Sequence, residues 1–172
     1  IDIEDITEIM HTYNIPVVVD AAAEIPPKSN ITKYQKLGAD LVLFSGGKEI
    51  RGPQSSGLIL GRKDLIKACG KNCCPHYSIG RSMKIDKETI AGITKAVELF
   101  VNKDYDKQMK VWDDMVEVMI ESLKDVSGIS YRKGFPTKPG IQPTCIPRMY
   151  IKPLKITAKI LYDRLLAQNP QV

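Results

Sequence analysis

The sequence predicts an α/β protein organised around a pair of parallel strands, on three features. Two short apolar runs, "IPVVVD" (residues 15–20) and "ADLVLFS" (residues 39–45), are unbroken rather than alternating. Continuous runs of this kind suit strands buried on both faces, as in parallel sheets. Between them lies "ITKYQKLG", a short helical stretch closed by Gly38. Strand, helix and strand in that order make a right-handed unit. Amphipathic helical segments flank the unit on both sides.

Each element has its own warrant. "IEDITEIMHTYN" sets Ile3, Ile6, Ile9 and Met10 at helical spacing, with Asn14 as its stop. "AAAEIPPKSN" is a loop, broken by Pro26 and Pro27. "SSGLILG" reads as a third strand, and the link from Ser45 to Ser56 carries no helical pattern. A parallel return needs a crossover of about a dozen residues or more, usually a helix, so this strand is expected to run antiparallel to its predecessor. "RKDLIKACG" is a short helix, and the chain is irregular from there to "RSMKID". "KETIAGITKAVELFVN" is a strong amphipathic helix with Ile90, Ile93, Val97 and Phe100 or Val101 inward.

"YDKQMKVWDDMVEVMIESLKDV" continues helically, burying Met109, Trp112, Met115 or Val116, Met119 and Leu123, and Gly128 ends the pattern. "ISYRKG" and "CIPRMYI" are two strands around a Pro-rich turn, and "KITAKILYDRLLAQ" is a last helix. The expected division is one domain over residues 1–102 and a smaller α/β domain over 103–172.

Composition bounds the function. The 172 residues are 43% hydrophobic and 26% charged, which is ordinary globular composition. The net charge of +5 is spread along the chain with acids between the lysines. A solvated surface is the plain reading, and an anionic substrate or nucleic acid the alternative. No apolar run reaches the length of a membrane span and no signal peptide opens the sequence, so a cytoplasmic protein is expected. The first residues already lie in an amphipathic helix without Met, and "LLAQNPQV" stops where a helix hands over to a strand. Both ends are therefore expected to be cuts in a longer chain. "CGKNCCPH" gathers Cys69, Cys73, Cys74 and His76, but matches no Cys-x-x-Cys pair of pairs, and Cys145 lies far off. Reduced structural thiols and no metal are expected, with His76 structural.

The chemistry concentrates in "SGGKEIRGPQSS", residues 45–56, directly after the second strand. Asp20 and Ser45 end neighbouring parallel strands, so they leave the same edge of the sheet, where open α/β sheets bind ligands. Lys48 follows on a glycine-lined turn. Asp20 and Lys48 either form a salt bridge or hold a cofactor between them. A lysine amine forms a Schiff base with the aldehyde of pyridoxal 5′-phosphate, and an aspartate pairs with the protonated ring nitrogen. In the cofactor reading Gly46 and Gly47 let the backbone turn tightly beneath the ring. Ser45 donates to the phosphate there, and Ala22 is small enough for a flat ring to lie on it. A phosphate-binding P-loop is discounted, because Glu49 follows the lysine and no six-residue glycine loop precedes it.

The stretches "VVVDAAAEIPP" and "GADLVLFSGGKEIRGPQSSGLILGRKDLI" resemble fold type I pyridoxal-phosphate enzymes, the aspartate-aminotransferase-like fold. Within them the chain looks most like the branch of selenocysteine synthase and D-glucosaminate-6-phosphate ammonia-lyase, and "YSIGRSMKIDKETIAGITKAVE" looks like that branch too. The resemblance implies that residues 1–102 are the C-terminal half of the large cofactor-binding domain and 103–172 most of the small one. It implies Lys48 as Schiff-base lysine, Asp20 as ring-nitrogen partner and Ser45 as a phosphate neighbour. The family's main phosphate loop and ring-stacking residue lie upstream of the aspartate, before this chain begins.

Four further residues are weighed for substrate. Arg51 and Gln54 recognise a substrate carboxylate or phosphate, or else hold their loop by hydrogen bonds. Arg81 is a candidate for substrate near the junction of the two layers. Arg148 is a candidate for the small-domain carboxylate clamp of many relatives. The resemblance implies a lyase of the ammonia-lyase or dehydratase type on an amino acid or amino sugar acid, D-glucosaminate 6-phosphate among them. Its alternatives are a seryl-tRNA transferase and an inactive fragment. A homodimer or larger even-numbered assembly is expected, with Arg51, Gln54 and Ser55 reaching the neighbour's cofactor site.

Overall fold

The computed structural model describes residues 2–137 and 143–170. They form two compact units, Ile1–Lys103 and Asp104–Val172.

In the first unit, α1 (Ile3–Thr12) leads to β1 (Val18–Asp20), α2 (Asn30–Lys36), β2 (Leu41–Ser45), β3 (Gly57–Gly61), α3 (Lys63–Asn72) and α4 (Lys87–Asn102). Asn14, at φ 56°, turns the chain out of α1, and Gly38, at φ 98°, turns it out of α2. β2 is the middle strand of three. It pairs parallel with β1, placing Asp20 beside Leu43, and antiparallel with β3, placing Ser45 beside Gly57. The antiparallel return expected from the helix-free link is what forms. The core gathers on β2 and the segments beside it: Ala21, Ile25, Val42, Phe44 and Ile50 are all buried.

One carboxylate ties the other end of this sheet together. Asp40 accepts hydrogen bonds from His11 Nε2 at 2.8 Å, the Val17 backbone N–H at 2.7 Å and Arg62 Nη1 at 2.8 Å. Val17 precedes β1, Asp40 precedes β2 and Arg62 follows β3, so one side chain bridges the ends of all three strands. Burial pushes the Asp40 carboxyl up, but the bonds from His11, Val17 and Arg62 outweigh it and hold the group at about 2.

α4 turns most of the expected stripe inward, with Ile93 and Phe100 buried and Val97 half-buried, but Ile90 falls outside it. Ile93, Ala96 and Phe100 are buried, whereas Ile90 is 53% and Val101 49% exposed. The cause is local packing. Gly92 lies against Pro53, close enough that a methyl group there would sit 2.7 Å from the proline ring. The helix therefore meets its neighbours along the 92/93/96/100 line.

The second unit holds α5 (Tyr105–Leu123), β4 (Ile129–Gly134), β5 (Arg148–Pro153) and α6 (Ala158–Leu166). β4 and β5 form an antiparallel pair. α5 starts at Asp104, whose carboxylate accepts the Lys107 N–H at 3.0 Å. Gly128, at φ 84°, follows it before β4 begins. Val116 is the buried residue of α5, so of the Met115-or-Val116 alternative Val116 turns inward and Met115 is 52% exposed, whereas Met119, expected inward, is 44% exposed. Lys133 of β4 bonds Asp113 and Glu117, so the sheet side of the helix runs along 113/116/117 and Met115 and Met119 face away.

Candidate active site

The edge where β1 and β2 end carries the residues the sequence singled out. Asp20 is the last residue of β1 and is exposed. Its Oδ1 accepts the Ala22 backbone N–H at 3.0 Å, a local turn that fixes the carboxylate at the strand end. Ala22 itself is half-buried. Ser45 ends β2, half-buried, and Lys48 stands exposed three residues later. Lys48 has no hydrogen-bond or ion-pair partner among the described residues, so the salt bridge weighed for Asp20 and Lys48 does not form.

The turn that presents Lys48 is held firmly on both sides. The Gly46 N–H bonds Ser56 O at 2.8 Å, the Gly52 N–H bonds Gly46 O at 2.8 Å, and the Arg51 N–H bonds Lys48 O at 2.8 Å. Ile50 is buried, and Glu49 pairs with Lys103 at 2.7 Å. The neighbours of Lys48 thus point into the unit while its own amine points out.

The glycines of this turn serve closeness rather than backbone freedom. Neither Gly46 nor Gly47 has a positive φ. A methyl group on Gly46 would lie 2.7 Å from Ile93 Cδ1 and also strike Ser56, and one on Gly52 would lie 2.8 Å from the same Cδ1. The lysine turn therefore packs directly on α4, a contact the sequence did not announce. Glycines at 46, 52 and 92 around Pro53 were its only signal.

Arg51 and Gln54 are exposed, and neither side chain holds the loop; backbone bonds do that instead. Arg51 adopts φ 59°. Arg81 lies in a 3₁₀ turn, Arg81–Met83, its Nη1 3.4 Å from Cys74 Sγ and its guanidinium 5.7 Å from the Tyr77 ring. Its Nε is buried without a partner. Arg148 opens β5 in the other unit, paired with Gly134. All four cysteines are free thiols, and among the described residues no three His, Cys, Asp or Glu side chains gather as a metal site.

The fold is that of fold type I pyridoxal-phosphate enzymes. A methionine gamma lyase from Micromonospora echinospora superimposes with a TM-score of 0.53 over 96% of this chain and 45% of its own, at 18% identity. The sequence narrows this further. The family described as SelA, L-seryl-tRNA selenium transferase, matches residues 1–126, and the chain belongs to that family. It is 32% identical to the D-glucosaminate-6-phosphate ammonia lyase of Salmonella typhimurium, over 75% of this chain and 32% of that protein. It is 33% identical to the L-seryl-tRNA(Sec) selenium transferase of Aquifex aeolicus, over 75% of this chain and 31% of that one. A 5′-C-glycyluridine monooxygenase-decarboxylase of Streptomyces is 30% identical over 77% and 31%. The chain spans about a third of the length of these curated relatives. The family and fold are those of pyridoxal-phosphate-dependent lyases and transferases. No described helix is long and apolar enough to cross a membrane.

Proposed function

We propose that this chain carries the lysine half of a pyridoxal-phosphate site and serves a lyase acting on an amino acid or amino sugar acid. One observation carries the reading. A partnerless amine, Lys48, stands exposed near the end of β2. A carboxylate with one oxygen unbonded, Asp20, ends the adjacent parallel strand. Two opposite charges at one sheet edge, neither neutralised by the other, suit a group that takes both. Lys48 Nζ would hold the cofactor through its aldehyde, Asp20 would keep the ring nitrogen protonated, and Ser45 would donate to the phosphate.

When bound, pyridoxal phosphate supplies a pyridinium ring that stabilises negative charge on the carbon bearing the substrate amine. The residues here do the rest. Asp20 holds its proton partner in place because the Ala22 N–H fixes the carboxylate. Lys48 would also take the proton from the substrate Cα, general-base work suited to an amine aimed from a rigid turn. Arg51 and Gln54, exposed and without side-chain partners among the described residues, are the nearest groups in sequence for a substrate carboxylate or phosphate. Arg81 and Arg148 remain candidates for the same task. The likeness to the ammonia lyase supports a phosphorylated amino sugar acid such as D-glucosaminate 6-phosphate as substrate.

The exposed Arg51, Gln54 and Ser55 also suit a homodimer or larger even-numbered assembly in which this loop reaches a neighbour's site. A second reading, transfer to a seryl group carried on tRNA, is favoured by the family match itself. Titration with pyridoxal phosphate, followed by absorbance, tests the first. The wild type should develop a yellow band that K48A lacks and that D20N forms only at higher cofactor concentration. No band at millimolar cofactor would remove the reading. Salt-sensitive tRNA binding without ammonia release from amino acids would favour the second.

A further inference from the structure

We propose that the face of the β4–β5 pair turned away from α5 is an anion site for a small phosphate monoester, with Arg132 as its principal donor. The register decides which residues share that face. Ser130 pairs with Lys152, Arg132 with Tyr150 and Gly134 with Arg148, so these six point one way and Tyr131, Lys133, Met149 and Ile151 the other. Lys133 is drawn to α5 by Asp113 and Glu117, at 2.5 and 2.7 Å. The six therefore lie on the side away from α5.

That side carries three cations and no acid. Among the described residues Arg132 has no hydrogen-bond or ion-pair partner, and its guanidinium sits 4.5 Å from the centroid of the Tyr150 ring. Lys152 is exposed and, among the described residues, its side chain is also unpaired. Gly134 makes the arrangement: a methyl group there would lie 2.7 Å from Arg132 Nη1 and 3.6 Å from Tyr150 Cε2. The guanidinium occupies the room that glycine leaves. The ring contact holds the guanidinium in place, and guanidinium N–H groups make two-pronged bonds with phosphate or carboxylate oxygens.

The ligand class follows from charge and size. Two unpaired cations, Arg132 and Lys152, match a dianion better than a single carboxylate. A cleft of about 190 Å³ is lined by Ser130, Tyr131, Arg132, Tyr150, Ile151 and Lys152. That is below the usual range of sites for whole drug-sized ligands, and room for one phosphate group. A single-stranded nucleic acid needs aromatic faces for its bases, and the Tyr150 ring is already covered by Arg132. The proposal does not depend on the cofactor reading.

Calorimetric titration of the cofactor-free protein with inorganic phosphate, and with glycerol 3-phosphate, tests the proposal. The wild type should bind both saturably. R132Q should bind at least tenfold more weakly, R132K should recover little because an ammonium cannot fork, and K133Q, on the opposite face, should bind as the wild type does. G134A should weaken binding by displacing the guanidinium while leaving the unfolding curve of the protein intact. Equal phosphate affinity in wild type and R132Q overturns the proposal. So does Arg132-dependent binding of a single-stranded RNA oligonucleotide without binding of either small phosphate. Pyridoxal-phosphate absorbance recorded on the same samples keeps the outcomes separate, since R132Q should form the band as the wild type does.

Discussion

Glu49 and Lys103 form an ion pair of 2.7 Å that joins the residue after Lys48 to the C-terminal end of α4. The two side chains are only 13% and 22% exposed, so the pair is shielded more than a surface bridge. Together with buried Ile50 it anchors one side of the turn, leaving Lys48 to project. In the reading proposed above, Lys48 is aimed by what its neighbours hold.

Removing one partner takes this ion pair from the other charge. E49Q and K103M should each lower stability by about 1–3 kcal/mol, between the values for surface and buried pairs. The charge-swapped double variant E49K/K103E should regain part of that loss. Thermal unfolding measures both, and additive losses in the double variant would show that the pair does not couple.

The glycine contacts predict a selective rescue. G52A should be destabilised by about 1–3 kcal/mol through overpacking on Ile93 Cδ1. I93V removes that atom, so G52A/I93V should lose less than the two single changes combined. G46A should be rescued far less, because its methyl group also meets Ser56 side chain and backbone. Denaturant midpoints of the five proteins decide it. Equal rescue of both would mean that Ile93 alone sets the space at the turn.

The contrast between these two contacts marks what the sequence made legible. The strand–helix–strand unit, and with it Asp20 and Ser45 at one edge, was legible because unbroken apolar runs and a helix-free link each have one cheap topology. Lys48 stood out because lysine on a glycine turn after a buried strand is unusual. Ile93 and Lys103 were not tied to it, since Glu49 and Lys103 lie 54 residues apart and no local period links them. Periodicity gave α4 an apolar stripe but not its angle, which the fit of Gly92 on Pro53 sets, leaving Ile90 outside. The purpose of Gly46 was misread for the same reason. Backbone freedom is a local argument, whereas closeness to Ser56 and Ile93 belongs to the packed fold.

Asp40 predicts an acid limit to stability. Its native carboxyl is held at about 2, below its ordinary value of 3.8. The unfolded chain therefore takes up this proton more readily than the folded one. The stabilisation is whole above pH about 4 and is lost as pH falls toward about 2, amounting to about 2 kcal/mol. D40N should flatten this part of the stability–pH curve and lower stability at neutral pH, since His11, Val17 and Arg62 lose a charged acceptor. Urea unfolding between pH 2 and pH 7 reads the slope. An unchanged slope in D40N would assign the acid sensitivity elsewhere.

The central claim is that Lys48 is the amine that carries pyridoxal phosphate. Borohydride reduction of the cofactor-loaded protein, followed by proteolysis and mass mapping, tests it most directly, because reduction makes the link permanent where it formed. The account predicts one pyridoxyl group, on the peptide containing Lys48, and none in K48A. A label spread over several surface lysines, or the same yield in K48A as in wild type, would contradict it.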